Sequence, residues 1–176
     1  MKNNNVFIID FETTGLKIYN KIDFPIEIGI IICDINLNLL DTYTKLIHPD
    51  NYIWSKDWSE SQKEAYNIHQ ISYDEWKLNS KSYNDIKNDI INLSKKYSFT
   101  ENDKYKKPIL MSDNAFFDTT CLRFILPNHL NYFHYATWDT NILLERSVGD
   151  PKPKHRALED CGLLYKQLIK AYSGLF

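Results

Sequence analysis

The sequence predicts an α/β fold in one domain spanning residues 1–176: three antiparallel strands, then alternating helix and strand, the mixed sheet flanked by helices. Two observations carry this. Three apolar segments, the last two joined by a short polar connection, lie within the first 47 residues. From residue 82 onward, apolar positions at helical spacing alternate with short apolar runs.

Residues 6–11 (VFIIDF) read as the first strand and 26–35 (IEIGIIICDI) as the second. Residues 39–47 (LLDTYTKLI) form the third, reached through the short connection 36–38, so the three make an antiparallel meander. From about residue 59 the chain turns polar and rich in aromatics. Over 82–97, Ile86, Ile90, Leu93 and Tyr97 then recur as the apolar face of a helix. Residues 95–107, charged and poor in apolar side chains, are expected to form a mobile loop. A short buried strand at 108–111 precedes a helix at 115–126. A last strand at 135–138 leads into a helix through about residue 147, which the VGDPKPK loop ends. The final helix, 155–172, carries Ala157, Cys161, Leu164, Leu168 and Ala171 on one face.

Composition bounds the function. The chain is 43% hydrophobic and 25% charged, as a globular protein is. Its net charge of −2 argues against generic polyanion binding, so any nucleic-acid contact has to come from a local site. Cys33, Cys121 and Cys161 are odd in number and far apart, which predicts free thiols in a reducing compartment. The N-terminal apolar run is short and broken by an acid, unlike a signal peptide, and no segment has the length of a membrane span. A cytoplasmic location follows as the expectation.

Acids stand where a core is expected. Alternation along a strand puts Val6, Ile8, Asp10 and Glu12 on one face, with both carboxylates at the strand's carboxyl end. Asp118 lies one turn before Cys121, Leu122 and Ile125 on their apolar stripe, and Asp160 lies between Ala157 and Leu164. A single such acid is ordinarily a boundary residue reaching water. Three elements that each place acid on the core side imply one carboxylate cleft, if those faces converge. Like charges gathered this way need compensation, and oxygen ligands favour Mg²⁺ or Mn²⁺. Two such ions, roughly 3.5–4 Å apart, form the clamp used in phosphoryl transfer.

Three motifs at these positions, DFETTGL (10–16), NAFFD (114–118) and HRALED (155–160), resemble those of the DEDD 3′–5′ exonucleases, whose fold is ribonuclease H-like. His155, five residues before Asp160, matches the histidine (DEDDh) branch; the tyrosine branch would need Tyr at 156, where this chain has Arg. The resemblance spans nearly the whole chain, with the motifs in family order. It implies Asp10, Glu12, Asp118 and Asp160 as ligands of two divalent metal ions, and His155 as general base. Histidine exchanges protons near neutrality, which suits that role.

It further implies that Thr13, Thr14, Gly15 and Leu16 hold a 3′-terminal nucleotide, with Asn114 and Phe117 on the substrate side. His69, in HQIS (69–72), matches a weaker element in which Gln70 replaces a glycine. Asp113 stands where many relatives have histidine, adding negative charge near the substrate. Tyr52, Trp54, Trp58, Tyr66, Tyr73 and Trp76 would stack on bases or simply pack. Lys152, Lys154 and Arg156 would hold backbone phosphates or form a solvated face.

The expected activity is release of nucleoside 5′-monophosphates from single-stranded 3′ ends, DNA ahead of RNA. The alternatives are an exoribonuclease of the oligoribonuclease type and a catalytically inactive nucleic-acid-binding module. A polymerase partner and a homodimer through the aromatic segment stay open. The absence of a long tail after Tyr172 favours a stand-alone enzyme or a partner docked on the domain surface.

Overall fold

The computed structural model describes residues 4–20, 22–49, 59–98, 106–141 and 154–173. β1 (Val6–Thr13), β2 (Pro25–Cys33) and β3 (Leu39–His48) form the expected antiparallel meander. Two short helices follow, α1 (Glu60–His69) and α2 (Tyr73–Asn79). β4 (Lys81–Ser82) then leads into α3 (Tyr83–Lys96). β5 (Ile109–Ser112), α4 (Ala115–Ile125), a 3₁₀ turn at His129–Asn131, β6 (Thr137–Asp139) and α5 (Ala157–Ser173) complete the order.

The six strands run β4-β3-β2-β1-β5-β6, with β5 and β6 parallel to β1. Phe7, Ile9 and Phe11 face α3 and α4 through Ile86, Ile90, Cys121, Leu122 and Ile125. Val6 and Ile8 face α5 through Cys161 and Leu164. The architecture is a ribonuclease H-like α/β fold. It puts the carboxyl end of β1 between helices from both faces of the sheet.

Several boundaries move for physical reasons. β2 stops at Cys33 because Asp34 turns the chain, its carboxylate accepting the Asn36 and Asn38 amides, and Leu37 takes a φ of 63°. The last strand is Thr137–Asp139, shifted toward the C-terminus. The sequence does not announce α1 and α2, which are held by caps more than by apolar stripes. Ser59 and Gln62 form a capping box on α1, and Ser72 caps α2. Lys95 and Lys96 belong to α3 rather than to a loop. Most of the remaining expected mobile segment, the expected helix after β6, and Tyr52, Trp54, Trp58 and Lys152 lie outside the described residues. All three cysteines are free and buried. Among the described residues, no helix is long and apolar enough to cross a membrane.

Candidate active site

Asp10 and Glu12 alternate along β1 with Phe11, which puts them on the α5 side of the sheet, above Val6 and Ile8. The turn after β1 is tied down from within. The Thr13 hydroxyl donates to the Gly15 carbonyl at 2.8 Å. Thr14 Oγ1 accepts the Phe24 amide at 3.0 Å and donates to Asp23 at 3.3 Å. Buried Asp23 also accepts the Lys17 amide at 2.8 Å. A Cβ on Gly15 would lie 2.6 Å from that carboxylate, so glycine is the residue that fits. Both threonine hydroxyls are therefore committed inside the turn, leaving backbone for any ligand contact. Leu16 projects outward, 76% exposed.

Asp118 arrives from the other face of the sheet, in the first turn of α4. Asn114 caps that helix by accepting the Phe117 amide at 3.2 Å, and Asp139 at the end of β6 accepts the Ala115 amide at 3.1 Å. The expected convergence of acid-bearing faces is met with α4 and α5 on opposite sides of the sheet, their acids gathering with Asp10 and Glu12 in one cleft at the carboxyl end of β1.

On the α5 side, Asp160 accepts the amides of Lys154 at 2.6 Å and His155 at 2.8 Å. His155 adopts a left-handed φ of 59°, a conformation costing about 1 kcal/mol that these bonds sustain. A carboxylate has roughly four lone-pair sites, so Asp160 can hold this turn and still face a cation. Ligand atoms of Glu12, His155 and Asp160 lie within 4.8 Å of one another.

The start of α5 is fastened to β2 by groups the sequence reading passes over. Glu27, buried and directly across from Glu12, accepts the Ala157 amide at 3.0 Å and a guanidinium bond from Arg156 at 2.8 Å. Arg156 also reaches Glu75 of α2 at 2.9 Å. A lone acid inside PIEIGIIIC is the available signal, because a carboxylate in such a strand needs a cation. Arg156 is thus a structural tether rather than a phosphate holder, and Lys154 pairs with Glu159 at 2.9 Å.

Asp10, Glu12, Asp113, Asn114, Phe117, Asp118, His155 and Asp160 line one cleft of about 380 Å³. Burial pushes Asp10 up to about 8, helped by Asp160, Asp113 and Glu27. Burial also pushes Glu12 up to about 9, helped by Asp10, Asp160 and Glu27 and opposed by Arg156. Asp118 is raised by burial and by Asp10, against the Ser112 hydroxyl and the Phe11 amide. Such a set repels itself, and its all-oxygen carboxylate chemistry fits hard divalent cations.

The other predicted contacts lie elsewhere. Thr13, Thr14, Gly15 and Leu16 are not among the cleft-lining residues. His69 is buried, and its Nδ1 accepts the Ile71 amide at 2.9 Å. Burial, Arg156 and His155 lower it to about 4, so the neutral ring carries its proton on Nε2. Trp76 is core, donating to the Ile47 carbonyl at 2.7 Å, while Tyr73 is exposed.

Comparison with known proteins agrees with this fold. Zinc-bound E. coli exonuclease I in complex with single-stranded DNA superposes with a TM-score of 0.70 at 17% identity, covering 97% of this chain and 41% of that one. The same enzyme with a dA16 oligonucleotide gives 0.67 at 15% identity, covering 97% and 41%. The chain therefore spans about two-fifths of the length of these structures. None of the curated proteins matches the sequence. The exonuclease family RNase_T matches over residues 7–168, which takes in both strands and helices of the cleft, and the chain belongs to that family.

Proposed function

We propose that this domain is a metal-dependent 3′–5′ exonuclease that hydrolyses the terminal phosphodiester of single-stranded nucleic acid, DNA ahead of RNA, releasing nucleoside 5′-monophosphates. The observation that carries this reading is one cleft lined by Asp10, Glu12, Asp118, Asp160 and His155, in which burial and neighbouring carboxylates raise Asp10, Glu12 and Asp118 above the ordinary carboxylate range. Family membership supports the hydrolytic class, and the likeness to exonuclease I bound to DNA oligonucleotides supports the preference for DNA.

The four carboxylates would hold two divalent cations, Mg²⁺ or Mn²⁺, which supply charge to offset the negative phosphate oxygens. The remaining work belongs to the chain. His155 takes a proton from the attacking water. Asp160 holds the His155 backbone by its amide and thereby orients the base. Asn114 and Phe117 line the same cleft, where they would meet the terminal nucleotide. The left-handed turn at His155, held by the Asp160 carboxylate, keeps the base's side of the cleft preorganised, so little reorganisation is needed there when substrate binds.

The test is a product assay on 5′-labelled DNA and RNA oligomers of matched sequence with Mg²⁺ or Mn²⁺. Stepwise shortening from the 3′ end with 5′-mononucleotide release, faster on DNA, is the expected outcome. Faster release from RNA would favour the exoribonuclease alternative. No release from either, or release undiminished in excess chelator, would overturn the proposal.

A further inference from the structure

Outside the acidic cleft, the turn after β1 and the solvent side of α4 enclose a second cavity of about 500 Å³, lined by Tyr19, Phe116, Arg123, Phe124 and Pro127 among others. The rings of Tyr19 and Phe116 stack there, with centroids 5.1 Å apart and planes 23° from parallel. These rings are not core: Phe116 is 69% exposed and Tyr19 49%. Arg123, on the same helix, is exposed and forms no ion pair among the described residues.

Two large aromatics displayed face to face in water, beside an exposed guanidinium, make a surface suited to a flat π-system joined to an anion. A nucleotide is such a ligand, since every base has a stacking face and its phosphate matches arginine. Position agrees with chemistry. Phe116 is adjacent in sequence to Phe117, which lines the cleft, and Tyr19 lies just past the turn that follows Glu12. The surface thus adjoins along the chain the two segments, β1 and the start of α4, that supply acids to the cleft. In a protein of net charge −2 with acids in its cleft, a cation at this rim is where a polyanion can be met.

We propose that Tyr19 and Phe116 form a stacking platform for a base of the single strand outside the cleft, with Arg123 meeting its phosphate. The platform adds a subsite to the nuclease reading above and rests on it. It holds substrate and takes no part in the chemistry.

The test is equilibrium binding of fluorescein-labelled dT₁₂ in excess EDTA, where hydrolysis does not interfere. Phe116→Ala should weaken binding about 5- to 100-fold, the scale of one base–aromatic stack, and Tyr19→Ala should act in the same direction. Phe116→Trp should bind within about twofold of wild type, because the larger ring restores the stack. Oligomers with one abasic site moved along the strand locate the contact: at one position the abasic loss and the Phe116→Ala loss should fail to add. Arg123→Gln should lower the slope of log affinity against log salt by about 0.7.

Thermal unfolding at the wild-type temperature would verify that the exposed substitutions leave the fold intact. If wild type binds and degrades DNA while Phe116→Ala and Tyr19→Ala bind normally, the platform falls and the nuclease reading stands. The platform also falls if Phe116→Ala weakens every abasic oligomer equally. If wild type neither binds nor degrades DNA, both readings fall.

Discussion

The Arg156 guanidinium is spent on Glu27 and Glu75, which fastens the start of α5 to β2 and α2. Glu27 is 4% exposed, so its charge depends on that partner and on the Ala157 amide. Arg156→Gln should therefore cost about 2–4 kcal/mol in urea unfolding, most of it the penalty of a carboxylate left unpaired. Arg156 itself is about one-third exposed, so water screens part of the loss and keeps it at the lower end for a buried pair. Glu75→Gln should cost no more than about 1 kcal/mol, since that bridge is open to water on both sides. Equal losses in the two variants would contradict the assignment. At His155 the prediction concerns rate. His155→Ala should slow mononucleotide release about 10²–10⁴-fold with the fold retained, and a loss under tenfold would mean another group accepts the proton. The four acids could be picked out in sequence because acids on apolar stripes violate patterning, whereas His155 stood out only through the resemblance of HRALED to a family motif. Glu27 left a fainter trace, and its partner lies 129 positions away, beyond any local pattern.

At the scale of elements, the site depends on how closely α5 can approach the sheet. Gly29 pairs with Asp10 across the β1–β2 ladder, and a Cβ there would lie 2.3 Å from the backbone of Ala157 and Leu158. Backbone cannot move aside as a side-chain tip does, so any larger residue pushes the helix start away from β2. That start carries His155 and Asp160, and Cys161 packs beside the Gly29 carbonyl at 3.3 Å. Gly29→Ala should therefore lower stability by about 1–3 kcal/mol, the usual cost of overpacking, and reduce nuclease turnover at the same time. Gly162→Ala is the matched control. A Cβ there meets only Ile31 at 4.0 Å, so stability and activity should stay near wild type. Normal turnover in Gly29→Ala would show that α5 can shift without moving its acids. The strands and the long helices were legible from period and apolar runs. The close approach was not, because a glycine in a strand says only that something comes near. The opposed placement of α4 and α5 was hidden too, since a stripe shows that a helix faces the core and not which side of the sheet it covers.

Across the whole molecule, the cleft couples proton binding, cation binding and folding. Asp10 and Glu12 keep protons in the folded protein up to about 8 and 9, whereas their ordinary values are 3.8 and 4.5. Between those limits the folded state binds more protons than the unfolded chain, so stability falls as pH rises. Asp118 is raised as well and acts in the same direction. His69 acts in the opposite direction. Lowered to about 4, it stays neutral in the fold while the unfolded chain protonates it, so it favours folding more as pH rises from 4 toward 6.5. The acid effect should therefore dominate from about pH 6.5 to 8.5, and chelator-treated protein should lose Tm across that range. Each ~1 kcal/mol lost corresponds to about 2–4 °C for a chain of this size. A divalent cation displaces those protons and stabilises the fold by mass action, so Mn²⁺ should raise Tm more at pH 8 than at pH 6. Asp10→Asn removes one titrating group. It should flatten the metal-free pH slope, shrink the Mn²⁺ shift and abolish turnover. A metal-free Tm that climbs between pH 6.5 and 8.5, or a Mn²⁺ shift of equal size at both pH values, would mean these carboxylates do not share one field. Neutral stability together with lost activity in Asp10→Asn would separate a catalytic role from a purely electrostatic one.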